Sequence, residues 1–476
     1  MGVSASGFFL AARLGLRVMV LISGMVTERV DAMQQVHSEK PTQNSPYWWQ
    51  EAPPQSLPQQ PLNSTSDVVI IGAGYTGLVA ALVLAEAGRN VQLFDAHEPG
   101  YGASTRNGGI TSGNLRLGAI ESVKKFGRQR AQAILKEGVA AREHLRQLIK
   151  NHNIDCNYRL TGRFTGAITE PDLEKMSREA ETYHQLTDVE PTLVNSQDIS
   201  QYIGSEAYVG GVCRADIGHF HPAKFLNGLL DAAIAKGVRV HASTPVTAIE
   251  SEDSSTANPT NPDKRIVTAR GTVVAGEVVI ATNGYTNGFD PWIRRRIVPI
   301  KSRIVATEEL SPNLIETLAP QLRAMGENRN LYRYFRPSPD GKRMLFGSRE
   351  PALPVSQAKA IAHVQQGMTD IFPQLNDARI AYSWAGNVAF SRSALPLLFQ
   401  EKGIYYAMGY CGSGTVWAPW FGRKVAESIL DTKAGLEDVS TLAGSAPGSI
   451  PLYRGRPWFL PVAMLWHGMQ DKRHGR

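Results

Sequence analysis

The stretch from Asp67 to Asp95, DVVIIGAGYTGLVAALVLAEAGRNVQLFD, constrains this chain more than any other. Val68, Val69, Ile70 and Ile71 form an unbroken β-branched run, the pattern of a parallel strand covered on both faces. The run meets Gly72-Ala73-Gly74-Tyr75-Thr76-Gly77, a G-x-G-x-x-G that opens a helix with Leu78, Ala81, Leu82 and Ala85 at apolar positions and Gly88 as its stop. Val91, Leu93 and Phe94 then form a second strand that ends in Asp95. In such a unit Gly72 permits the tight turn, Gly74 admits a pyrophosphate to the backbone, and Gly77 lets helix and strand approach. The helix N-terminus adds amide donors and a positive dipole end. Asp95, 21 residues beyond Gly74, is placed to accept hydrogen bonds from both ribose hydroxyls and to repel a 2′-phosphate. A dinucleotide site that disfavours NADP is therefore expected.

A chain of 476 residues has room for two or three domains. Its formal charge of +7 would suggest nucleic acid if it were spread along a stripe, but residues 451–476 carry +4 and residues 1–45 carry +1, which leaves +2 for the body. Nucleic-acid binding is not expected. Cys156, Cys213 and Cys411 are odd in number, far apart and without a C-x-x-C pair, which points to a reducing compartment, here the cytoplasm, with neither a disulfide framework nor a zinc site. Residues 1–24 are apolar but interrupted by Arg13 and Arg17, so they fit neither a membrane span nor a signal peptide. They read as an extension, and residues 1–32 are expected to be dispensable for folding.

Further along, Trp48 and Trp49 sit in an irregular lead-in, and Gly100 to Gly109 (GYGASTRNGG) is a second glycine-rich loop able to bring backbone amides close to a flat ring or a phosphate. A long helical region is expected over residues 119–152, short strands over 156–168 and a polar helix over 170–187. Val278 to Gly284 (VVIATNG) repeats the logic of a buried strand ending in small polar residues. Strands are expected at Ile297–Thr307, Leu331–Arg336 and Met344–Ser348, and a helix at 356–371. The strand Gly403–Met408 meets another glycine-rich turn, GYCGSG, and a helix from Thr415 to Leu430. The dinucleotide domain is thus split in sequence around inserted segments, an arrangement of flavin enzymes more than of nicotinamide dehydrogenases. The expected fold class is α/β: a split Rossmann-like domain with an inserted β-rich (α+β) substrate domain.

Taken together, the opening unit, the Gly100–Gly109 loop, HFHPAKFLNGL from His219, VVIATNGYTN from Val278, YFRPSPDGKRMLFG from Tyr334, YSWAGNVAF from Tyr382 and GYCGSG resemble the D-amino-acid-oxidase-like FAD-dependent oxidoreductases. The resemblance covers about residues 46–470 and is greatest to the branch that contains γ-glutamylputrescine oxidoreductase. It implies non-covalent FAD and oxidation of a C–N bond in a small amine or amino acid by hydride transfer to the flavin, giving an imine that hydrolyses. It also implies FAD contacts from Gly72, Gly74, Tyr75, Thr76 and Gly77, from Asp95 to the ribose, and from Ser104, Arg106, Asn107, Gly108 and Gly109. Val246 would lie by the adenine, Thr282 and Asn283 along the cofactor, and Gly412, Ser413, Gly414 and Thr415 by the isoalloxazine edge. The segments then read as an extension (1–45), the FAD-binding domain (46–155, 207–296, 381–435), the substrate domain (156–206, 297–380) and a tail (436–476).

Such chemistry requires a substrate held over the ring rather than an acid–base triad. A carboxylate-bearing substrate needs a buried Arg, whose fork matches the anion bidentately. The candidates are Arg163, Arg336 and Arg392, with Tyr334 for the amine. Relatives of this branch commonly carry T-x-D-x-x-P-x-[IL] and G-H-G where this chain has Ser391-Arg392-Ser393-Ala394-Leu395-Pro396-Leu397 and Gly412-Ser413-Gly414. The loss of an acid while Arg392 remains favours an anionic substrate over a second cationic amine. The alternatives are a flavin monooxygenase and a flavin-binding relay without a substrate of its own. The electron acceptor (oxygen, a quinone or a carrier) is open. The apolar and basic tail from Arg454 is expected to pack on the body, with a membrane surface as the alternative.

Overall fold

The computed structural model describes residues 41–251, 263–286, 288–351, 353–473 and 475. The dispensable segment 1–32 and the polar loop read around 252–262 lie outside the described residues. Among the described residues two eight-stranded sheets carry the fold.

The first sheet is built on the opening unit. Thr65–Ile71 lies in its middle, parallel to Val91–Phe94 on one side (Val68 opposite Val91, Ile71 opposite Phe94) and to Gly271–Ile280 on the other (Ile70 opposite Val279). Arg239–His241 and Ile404–Met408 extend it in parallel, and Leu397–Glu401 closes one edge antiparallel. A meander of Val246–Ser251 and Lys264–Thr268 joins through Gly271–Ile280. The helices Tyr75–Glu86, Pro222–Ala235 and Gly414–Leu430 contribute to one core around Leu78, Leu82, Phe225, Leu229, Trp417 and Phe421. A second core on Val69, Ile71, Val278, Ile280 and Phe399 explains why these strands read as continuous apolar runs rather than alternating ones.

Close approach here depends on bare backbone. A Cβ on Gly77 would collide with the Gly72 carbonyl, and one on Gly422 with the Thr76 carbonyl, so the first and last helices of the domain touch through glycine. Gly77→Ala is expected to reduce soluble yield and melting temperature, checked by thermal unfolding of the purified protein; an unchanged melting temperature would refute the packing role.

The second sheet runs Ile380–Ser391, Ile297–Thr307, Met344–Arg349, Tyr334–Pro337, Ala324–Glu327, Arg163–Ala167, Gly210–Arg214, Pro191–Val194, antiparallel except where Ala324–Glu327 meets Arg163–Ala167. Two of these strands depart from the expected boundaries. Gly210–Arg214 and Ile380–Ser391 pair in this sheet, although segments 207–296 and 381–435 were assigned to the dinucleotide domain. The reason is hydrogen bonding that composition does not show: Gly210–Arg214 takes its register from Arg163–Ala167, and Ile380–Ser391 follows nearly the whole of Ile297–Thr307. The helical region 119–152 is two helices, Ala119–Phe126 and Arg128–Asn151, broken where Gly127 takes φ 77°. The strand expected from Leu331 begins at Tyr334.

The tail packs on the body. Leu460–Arg473 is a helix whose Asp471 accepts from Asn330 N (2.9 Å), Asn330 Nδ2 (2.8 Å) and Leu331 N (3.1 Å), while Trp458, Leu465, Trp466 and Met469 stay exposed. Among the described residues no helix is long and apolar enough to cross a membrane.

Candidate active site

The carboxyl ends of the parallel strands open into a cleft lined by Ile71, Gly72, Gly74, Phe94, Asp95, Ala281 and Thr282. This is the place where open α/β sheets bind ligands. Gly72 has φ 110°, and a Cβ there would lie 2.9 Å from the Ala281 carbonyl carbon. Behind Gly74, which caps the helix Tyr75–Glu86, the Ser104 Oγ accepts from Tyr75 N at 3.1 Å and fixes the second glycine loop against the first. Tyr75 and Thr76 turn inward, Tyr75 donating to Pro222 O (3.0 Å) and Thr76 Oγ1 lying 2.6 Å from Tyr410 Oη.

Asp95 sits at the end of its strand as expected. Its Oδ2 accepts from Ala73 N (2.8 Å) and its Oδ1 from His97 N (3.0 Å), which fixes the carboxylate beside the first glycine turn with acceptor capacity to spare. Burial raises its pKa, with the His97 and Ala73 amides working the other way. At the far end, Val246 lines the cleft with Thr244 and Pro245. Asn283 Oδ1 accepts from Gly409 N at 2.9 Å, tying two of the loops together, and Thr282 Oγ1 lies 2.5 Å from Thr286 Oγ1.

The residues of the second loop divide by role. Asn107 braces it, donating to Ala103 O (3.1 Å) and Ser104 O (2.8 Å) and accepting from Gly109 N (2.8 Å). Arg106 is not in the lining. Its Nε donates to Tyr101 O (2.8 Å) and its guanidinium lies 4.9 Å from the Trp49 ring, so it buttresses the loop from outside. Trp48 and Trp49 pack onto the body and donate to Asn107 O and Thr105 Oγ1, both at 2.9 Å. Gly108 faces the Tyr334 ring, and Gly109 faces Phe220 O and Arg336.

In the closing turn Gly412 has φ 104° and open space where a Cβ would be, and Gly414 and Thr415 line the cleft at the start of a helix. The hydroxyls of Ser413 and Thr415 are spent elsewhere, on Asn114 O (2.5 Å) and Ile110 O (2.6 Å). Cys411 is buried and unpaired, with Sγ donating to Gly409 O at 3.1 Å, and burial raises its pKa, as befits an inert thiol.

On the substrate side, one face of the second sheet looks toward the glycine loops. Tyr334 projects from it over Gly347 and against Gly108. Burial raises its phenol, with Ser302 as its hydrogen-bond partner. Arg336 lies on the same face but is already engaged: it donates to Phe220 O (2.9 Å) and to His219 Nδ1, and burial brings it down to about 9. It holds the turn before Pro222 rather than standing free for a substrate. His219 completes that brace through Leu322 O (3.0 Å), and burial together with Arg336 holds it well below the usual histidine range. His221 caps the following helix by accepting from Lys224 N at 3.2 Å. Both histidines hold the turn by these bonds. Arg392 is exposed, so the anion preference inferred from it has no support at that position.

The residue that sequence reasoning missed is Arg349. It ends the strand Met344–Arg349 two positions beyond Gly347, hence on the face that carries Tyr334. Its guanidinium has neither a hydrogen-bond nor an ion-pair partner among the described residues and lies 5.0 Å from the Phe390 ring. Desolvation, then Arg116, brings it down to about 10, and Tyr334 and Cys411 act on it in the opposite sense, which places it between the phenol and the closing turn. The strand's period of two was the available signal. Tyr285, Asn387 and Tyr410 also line the cleft and went unread.

The bare glycines, the Asp95 carboxylate beside the first glycine turn and the long lining from Val246 to Thr415 fit an extended dinucleotide with a flat ring at its end. The comparisons agree. Residues 67–428 match the family model described as DAO, FAD dependent oxidoreductase. The chain is 31% identical over 373 residues to a probable oxidoreductase OrdL of Haemophilus influenzae, covering 77% of this chain and 83% of that one. It is 30% identical over 374 residues to the γ-glutamylputrescine oxidoreductase of Escherichia coli, covering 77% and 84%. The crystal structure of glycine oxidase from Geobacillus kaustophilus superposes with a TM-score of 0.65 at 19% identity, over 83% of this chain and 99% of that one. A fold that places its glycines, its acid and its substrate sheet in this way, with these relatives, belongs to the DAO family, and this chain is an FAD-dependent oxidoreductase of that family.

Proposed function

We propose that this oxidoreductase acts on the C–N bond of an amino acid, and that Arg349 binds the substrate's carboxylate. The observation that carries the reading is a half-buried guanidinium without an anion, on the sheet face beside the closing turn. A charge so placed is costly unless a partner arrives, and a carboxylate matches its fork. Bound FAD supplies the two-electron acceptance. Arg349 fixes the carboxylate end of the substrate, and Tyr334, pressed against Gly108, bounds the space in which the α-carbon lies. The raised pKa of the Tyr334 phenol keeps it a neutral donor or acceptor toward the amine. The closing-turn amides at the start of Gly414–Leu430 and its dipole favour negative charge at the ring edge. The relative named for γ-glutamylputrescine carries the activity its name states. For this chain we propose a substrate with one amine and an acidic group instead.

Anaerobic mixing of the yellow protein with a panel of amino acids, N-methyl amino acids, putrescine and its acylated forms tests the proposal by flavin bleaching. Amino acids are expected to bleach the flavin faster. Faster bleaching by any putrescine derivative would overturn the substrate reading.

A further inference from the structure

The tail meets the body beside a run of three arginines. Ile450 N donates to Arg295 O (3.0 Å), Arg296 Nε to Pro447 O (2.9 Å) and Tyr453 Oη to Ile297 O (2.9 Å), and the Arg294 guanidinium lies against Gly455. Arg294 and Arg295 thus stand beside Arg454 and Arg456, although the two pairs are far apart in sequence. All four are exposed, and none has an ion-pair partner among the described residues. The acids whose fields reach this run, Glu401 and Asp290, act on Arg296. Asp290 is already engaged, accepting from Trp292 N, Ile293 N and Tyr406 Oη.

Apolar surface gathers in the same stretch. Among the described residues ten large apolar side chains are exposed, and five of them, Leu452, Trp458, Leu465, Trp466 and Met469, lie in the tail, so the exposure belongs to one segment rather than being scattered. Leu452 is the most exposed at 86% and stands at φ 58°, a costly conformation for a side chain of that size. The helix Leu460–Arg473 continues the pattern. At about 100° per residue, Leu465, Met469 and Lys472 share one side with Trp466 and Arg473, and all five are exposed. The tail's only acid, Asp471, is on the other side, buried against Asn330 and Leu331. One side of the helix is anchored, and the other presents apolar and basic groups with no carboxylate among them.

We propose that this face docks the enzyme on an anionic phospholipid surface, with the helix Leu460–Arg473 lying in the plane of the headgroups. At 14 residues the helix is too short to cross a bilayer, but its side chains suit the boundary. Leu465, Trp466 and Met469 enter the acyl edge while Lys472 and Arg473 meet phosphates. The arginines at 294, 295, 454 and 456 extend the charge along the tail, each adding attraction to an anionic leaflet. A second copy of the chain is the poorer occupant, because a two-fold contact sets these cations against their own kind.

The test uses the FAD-loaded enzyme and flotation with vesicles of equal parts phosphatidylglycerol and phosphatidylcholine, against phosphatidylcholine alone. The protein is expected to float with the anionic vesicles at low salt, to be largely released at high salt, and to stay behind with the neutral ones. Arg454→Gln combined with Arg456→Gln should weaken partitioning by on the order of tenfold or more. Leu465→Ser combined with Trp466→Ser should weaken it by a similar factor through lost apolar burial. All four side chains are exposed, so flavin content and melting temperature should hold in both variants. Equal flotation on the two vesicle types, no flotation on either, or variants that partition like wild type would overturn the proposal. So would a lipid-free dimer that either double substitution converts to monomer, since the face would then belong to a second copy. The outcome does not depend on which amine the flavin oxidises.

Discussion

Arg349→Met is expected to lower kcat/KM for amino-acid substrates by roughly thirtyfold to several thousandfold, the equivalent of about 2–5 kcal/mol for removing one partner of a desolvated, hydrogen-bonded charge pair. The effect should fall on every substrate that has an α-carboxylate, because Arg349 is the guanidinium left without a partner beside the closing turn. Flavin content and melting temperature should hold, since in the free enzyme the side chain makes no hydrogen bond whose loss would be felt. Arg349→Lys should recover only part of the activity, because an ammonium cannot present two parallel donors to one carboxylate. Stopped-flow reduction separates the outcomes: a variant that reduces as fast as wild type at low substrate would show that the carboxylate binds elsewhere. Parallel loss in Arg336→Met would carry less weight, because Arg336 supports Phe220 O and His219 and its removal disturbs the turn.

Asp95→Ala should release FAD. Two ribose hydroxyls donating to a carboxylate contribute charge-assisted bonds of about 1.5–3 kcal/mol each, so the dissociation constant should rise on the order of a hundredfold or more. The substitution also removes the acceptor for Ala73 N and His97 N and so loosens the glycine turn, which Asp95→Asn would do less. The pH dependence has a definite sign. Burial raises the Asp95 carboxyl, so folded apoprotein binds this proton more tightly than the unfolded chain. Its contribution to apoprotein stability is therefore lost as pH rises from the ordinary carboxylate value through the raised one. FAD runs the other way, because the ionised carboxylate is the stronger acceptor. Affinity measured by flavin fluorescence should climb with pH through that window and then level off in wild type, and stay flat in Asp95→Asn. A wild-type affinity that falls with pH would refute this role.

Much of the dinucleotide half was legible because its signals are local. The run Val68–Ile71, the glycines that follow and Asp95 are consecutive in the chain, and each does one job with its own backbone or side chain. The substrate half was less legible because its signals lie in pairing. Gly210–Arg214 is five residues without a distinctive pattern until Arg163–Ala167 is laid beside it, and Ile380–Ser391 was assigned by a boundary rather than by its partner. The same limit governed the arginines. Composition offered several, and burial without an anion could not be read from spacing. Arg336 looked as eligible as Arg163 until Phe220 O and His219 were seen to occupy it, and Arg349 was passed over although its alternation with Gly347 put it on the right face. Arg106 was read as a cofactor contact because it sits in a glycine-rich loop, and the two aromatic rings that hold it outside lie at positions 49 and 101.

The contact between Thr76 and Gly422 has a consequence for how the protein is made. The parallel sheet takes three adjacent strands from Thr65–Ile71, Gly271–Ile280 and Ile404–Met408, and Gly422, on the helix that seals the first glycine turn, follows Thr76 by 346 residues. At about 5–20 residues per second, a ribosome needs on the order of 20–70 s to supply that helix. The opening strand stays unpaired on one side until Gly271–Ile280 emerges, and the first glycine turn stays without its sealing helix for the whole interval, a target for chaperones. A messenger truncated before Ile404 therefore yields a chain with the nucleotide fingerprint but neither the closing strand nor the sealing helix, and flavin loading becomes an event of the released polypeptide rather than the nascent one.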